Sequence, residues 1–209
     1  MTVSTSPAPL RLTGVSWRRA EFVLTGLAFL GFLTVPIKIS TISNDLPAHP
    51  LFLHVPVVLI PLSILGALIM LARPRFYERH GILLCLCAIV AMSSIFLTMQ
   101  AGVALLALLH LHGQALTLIL KHQAAAHILA IVFTLFTAVL ILNFASHRIS
   151  AGNPTGLTLA DAPLGTPAIN LALKGLLLLL AVVSAYYVFR VGDLGARAVW
   201  ESRLHALGR

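Results

Sequence analysis

Acid is what this chain has least of: 6 Asp and Glu stand among 209 residues, against 14 Lys and Arg. So few acids leave little scope for a catalytic carboxylate pair. The other hydrolytic and phosphoryl-transfer signatures are missing too, with no P-loop, no nucleophile elbow and no H-E-x-x-H. Nothing in the chain points to hydrolysis or phosphoryl transfer. Cysteine is almost as scarce. Cys85 and Cys87 lie two positions apart in one apolar stretch, which puts them on nearly opposite faces of a helix, where they cannot staple a fold. Charge of either sign reaches only 10%. The net +8 is spread over short connections rather than gathered into a basic patch, which argues against a nucleic-acid partner.

What remains is hydrocarbon. Hydrophobic residues make up 59% of the chain and the mean hydropathy is +0.99, far above a soluble domain. The expected fold class is all-α, an integral membrane bundle of about five transmembrane helices, since a span needs roughly 20 apolar residues. Residues 1–17, rich in Ser, Thr and Pro, read as a disordered tail, 18–203 as a single transmembrane domain and 204–209 as a C-terminal tail. The apolar runs fall at about Phe22–Ile37, Leu51–Ala72, Ile82–Leu111, Ala124–Asn143 and Ala168–Val191. Arg18-Arg19 before the first run resembles an export signal. Glu21 intrudes, however, and Val-Pro-Ile-Lys ends the run without a small-residue cleavage site, so a retained span is preferred. Pro56 and Pro61 predict a bend in the second run. The third, at ~1.5 Å per residue, outruns a hydrocarbon core of ~30 Å. His147–Pro167 reads as a Gly/Pro/Thr-rich loop.

Basic residues set the orientation. With the N-terminus in the cytoplasm of a bacterial cell, the inner face of the cytoplasmic membrane collects Arg11, Arg18, Arg19, Arg73, Arg75, Arg79 and Arg148, leaving Lys38 and Lys121 opposite. The C-terminal arginines run against this, partly offset by Asp193 and Glu201.

Up-and-down threading then gathers six of the nine histidines at one membrane face: His49, His54, His110, His112, His122 and His127. His54 and His127 lie about one turn inside their spans, on different helices at similar depth. A polar ring at that depth needs a partner or a wet cavity. They are therefore expected to point into the bundle and approach each other as two axial ligands of haem b, with His49 and Arg190 completing the cofactor site and His112 and His122 facing water. Bare metal ligation or a structural hydrogen bond would use the same rings. Ala124-Ala125-Ala126 leaves room for a macrocycle or for close helix packing. Further polar candidates are His110, Gln100, Asp193 and Arg197; the two arginines could clamp an acidic group, or Asp193 could hold one of them.

The segment His49-Pro50-Leu51-Phe52-Leu53-His54-Val55-Pro56 fits H-P-x-x-x-H-x-P. It resembles the opening of a widespread bacterial family of small membrane proteins built on a domain of unknown function. His127 early in a later span resembles that family's helix-borne histidine, and Gly192-Asp193-Leu194-Gly195-Ala196-Arg197-Ala198-Val199-Trp200 is similar to its Gly-rich close. Here Ala196 replaces the second glycine of a pair, Arg197 stands where an acid is common, and the histidine-glycine that often follows is absent. The resemblance covers about Leu46 to Arg203. It implies service near respiratory electron transfer, because family members occur fused to Rieske-type or cytochrome-type domains. Three function classes follow: a b-cytochrome-like redox subunit among respiratory or other redox membrane proteins; a small transporter or metal- and proton-handling protein with Gln100 in its cavity; and an assembly or scaffold subunit without chemistry.

Overall fold

The computed structural model describes residues 20–35, 37, 39, 41–42, 46–109, 112–153 and 158–206. The expected N-terminal tail and the candidate His110 lie outside the described residues. The chain forms a helical bundle: α1 (Ala20–Phe32), α2 (His49–Phe52), α3 (His54–Ala72), α4 (Pro74–Leu108), α5 (Gly113–Ser150), α6 (Thr158–Leu164) and α7 (Pro167–Ala206). Between α1 and α2, Thr41–Ile42 and Leu46–Pro47 form a two-residue antiparallel pairing. A backbone in lipid has no water to satisfy its N–H and C=O groups, so helix is the form these apolar runs must take.

Among the described residues four helical stretches are long and apolar enough to cross a membrane: His49–Ala72, Pro74–Leu108, Gly113–Ser150 and Pro167–Glu201. They form the expected all-α membrane bundle, with α1 as a further, shorter apolar helix. The first apolar run gives a helix of 13 residues, about 20 Å long against a core of ~30 Å. Conversely α4, with 35 residues, and α5, with 38, reach about 50–57 Å and must tilt or project beyond the core.

The breaks have local causes. Pro56 cannot donate to the carbonyl of Phe52, four residues back, and the chain is interrupted between α2 and α3 at Leu53. Pro74 disfavours helix in the residue before it; Arg73 is extended (φ −134°, ψ 88°), and α4 begins at the proline. At the end of α5, Gly152 takes φ +83°. Its N–H bonds the Ile149 carbonyl while that of Asn153 bonds Arg148, a glycine-terminated helix end that Ala would strain. The predicted loop after His147 is thus shorter than expected: His147 is still in α5, and α6 occupies part of the remainder.

Neighbouring helices run antiparallel. His49 meets Thr98 while Ser63 meets Cys87, which fixes α2–α3 against α4. Tyr77 meets Asn143, fixing α4 against α5. His122 meets Val191 while Ser146 meets Asn170, fixing α5 against α7. The core lies around α5, where Phe133 and Phe136 are fully buried and stack with ring centres 5.1 Å apart, surrounded by Ile60, Cys85, Ala88, Leu140, Leu177 and Ala181. Many large apolar side chains of α1, α3 and α7 face outward, as lipid-facing surfaces do.

Candidate functional site: a histidine pair at one end of the bundle

The end holding the start of α2 brings together two imidazoles, and they are not the expected two. His49 Nδ1 is 2.9 Å from the carbonyl of Thr98 on α4. His122 Nδ1 is 2.9 Å from the carbonyl of Val191 on α7. A carbonyl only accepts, so in both rings Nδ1 carries the proton, and in the neutral form of either ring Nε2 is the nitrogen with the lone pair. The ring centres are 6.5 Å apart, with planes at 85°.

Both seats are built the same way. A helical side chain leans toward the N-terminus and covers the turn before its own Cα. The residue four positions after an acceptor is therefore the one that would shield it, and here that residue is glycine in each case: Gly102 follows Thr98, and Gly195 follows Val191. A methyl group on Gly102 would lie 3.0 Å from His49 Nδ1, and one on Gly195 would lie 3.2 Å from His122 Nδ1. Absence of a side chain opens each carbonyl, already bonded within its helix, to a second donor. The arrangement in which a histidine donates one ring N–H to a backbone carbonyl and offers the other nitrogen outward is the one metal-ligating histidines use.

The expected pair is placed otherwise. His54 and His127 share this end of the bundle, but both are exposed rather than directed into a common cavity. His127 Nδ1 donates to the carbonyl of Gln123 in its own helix, at 2.8 Å, so the cost of a polar ring is met without a partner element. His112 is exposed. His122 is half-buried instead of facing water, because α5 starts at Gly113 and its first turns pack on α7. Arg190 and Arg197 flank Asp193, at 3.5 and 3.0 Å, and Arg197 also approaches Glu201 at 3.9 Å; the clamp expected of them is taken up within α7. Gln100 is half-buried on α4. Among the described residues, no three His, Cys, Asp or Glu side chains gather as a metal-ligand set.

At the other end lies a polar cluster that the sequence reading did not single out. Tyr77 donates to Asn143 Oδ1 at 2.8 Å and its ring lies 5.0 Å from that of His147. Ser146 donates to the Leu164 carbonyl, and Asn170 to Ser146. Asn143 Nδ2 and His147 Nε2 are buried without a partner. An amide near the end of an apolar run, facing a tyrosine in the first turn of the preceding span, was the available signal.

The histidine and glycine motifs that meet at the pair lie in a stretch, residues 45–208, that matches the family model described as "Predicted membrane protein (DUF2231)". The chain belongs to this family. No curated protein and no solved structure matches it. The DUF2231 match includes His49, Gly102, His122 and Gly195 and leaves α1 outside. Within the matched stretch, the His49–Pro56 segment supplies one ring of the pair and the Gly192–Trp200 segment supplies the seat of the other.

Proposed function

We propose that this DUF2231 protein is a redox subunit of the b-cytochrome type in a bacterial cytoplasmic membrane, N-terminus inside, with His49 and His122 as the axial pair. One observation carries the reading: two imidazoles on different helices, each fixed through Nδ1 to a carbonyl of a further helix, which leaves Nε2 as the nitrogen available to a metal. The donor chemistry suits haem iron, which accepts two neutral histidines. Haem bound there would supply one-electron exchange, and the chain would contribute ligand orientation and a low-dielectric surround. A respiratory or other redox membrane protein is the matching partner.

The test is a reduced-minus-oxidised spectrum of detergent-purified protein expressed with ample haem. Wild type should give a b-type Soret and α-band. His49→Ala and His122→Ala should lose it, whereas His54→Ala and His127→Ala should retain it. Absence of a Soret band from folded wild type refutes the haem reading. The pair would then stand as a proton- or metal-handling site.

A further inference from the structure

We propose that the corner between α3 and α4 binds the phosphate of an anionic phospholipid. The helix break at Arg73-Pro74 joins two membrane-crossing helices, so the corner sits at the level of the lipid headgroups. Arg73, Arg75 and Arg79 are all exposed there. An open, shallow surface beside them is formed by the three arginines with Phe76, Glu78 and His80. The Phe76 and His80 rings lie one turn apart beside them, with centres 4.4 Å from each other.

The pairing of charge separates this corner from the opposite end. On α7 both Arg190 and Arg197 have a carboxylate partner on their own helix. Among the described residues, Arg73, Arg75 and Arg79 have none. Arg75 and Arg79 are four apart, a like-charge pair that repels along a helix face. Glu78 lies three residues after Arg75 and makes no ion pair with it. Three exposed guanidinium groups at a lipid interface, without a carboxylate partner among the described residues, favour an external anion, and the guanidinium fork suits phosphate. The arginines themselves mark this corner as the cytoplasmic side, so the lipid belongs to the cytoplasmic leaflet, whose surface is negative.

The experiment measures lipid retention by native mass spectrometry after exchange of purified full-length protein into micelles containing phosphatidylglycerol or phosphatidylcholine. By the usual gain per basic residue at an anionic surface, wild type should prefer phosphatidylglycerol by roughly a hundredfold, with about a fivefold loss for each arginine replaced. Arg75→Gln and Arg79→Gln singly, and R73Q/R75Q/R79Q together, give the series; the single variants read out even if the triple fails to fold. Arg197→Gln should leave the preference unchanged. Equal retention of both lipids by wild type, a preference that survives both single replacements undiminished, or complete displacement by millimolar inorganic phosphate would each overturn the proposal, the last by identifying a free-anion site.

Discussion

Replacing Gly195 with alanine tests the glycine-seat geometry most directly, because two effects of similar size oppose each other. Alanine in a helix interior is favoured over glycine by about 1 kcal/mol. Against this, the new methyl would stand 3.2 Å from both Nδ1 and Cε1 of His122, inside the ~3.5–4.0 Å of ordinary carbon contact. The ring must withdraw by a few tenths of an ångström, weakening a 2.9 Å bond to Val191 whose net worth is ~0.5–1.5 kcal/mol. In the native background Gly195→Ala should therefore change stability by about zero or destabilise by up to ~1 kcal/mol. With His122→Ala already present the clash disappears, and the same substitution should stabilise by about 1 kcal/mol. Reversible unfolding in mixed detergent and SDS micelles, run as a double-mutant cycle, should return a coupling of about 1–2 kcal/mol, against the ~0.3–0.5 kcal/mol within which independent sites add. A coupling inside that margin would refute the claim that Gly195 is kept clear for the imidazole.

At the far end, Tyr77→Phe should cost ~1–3 kcal/mol by leaving Asn143 Oδ1 buried and unbonded, while Tyr77→Phe with Asn143→Leu should recover much of it; the same unfolding assay reads both. Gly81→Ala should destabilise by ~1–3 kcal/mol, because its Cβ would meet the Phe144 ring at 2.5 Å and that ring is stacked on Tyr77. Shortening the ring with Phe144→Leu should relieve the effect. Gly102→Ala should repeat the Gly195 cycle with His49 and, where haem binds, shift the spectrum rather than abolish it.

The apolar runs that became α3, α4, α5 and α7 were legible because lipid offers the backbone few alternatives to helix. Which way each histidine turns was not. These helices carry apolar residues on nearly every face, so no stripe separates inward from outward, and the inward direction assigned to His54 and His127 rested on cost alone. His127 shows how that cost is met otherwise, by a carbonyl of its own helix. The role of His122 was hidden for a different reason: Lys121, His122 and Gln123 look like a polar connection, whereas α5 had already begun at Gly113. His49 was legible through its motif. The reason for its position was not, because Gly102 and Gly195 lie far from their imidazoles in the chain and come to them only through antiparallel packing.

Each imidazole of the pair is moored to backbone on another helix, His49 to α4 and His122 to α7. The spacing of the two rings therefore depends on the spacing of those helices as well as on the histidines' own side chains. The site works as a caliper across the bundle. Sliding or turning α7 would carry Val191, and His122 with it, away from His49, and anything held between the rings would feel that displacement at once. A partner that grips the outer turns of α7, where the Arg190–Asp193–Arg197–Glu201 ladder faces outward, would hold the handle of that caliper.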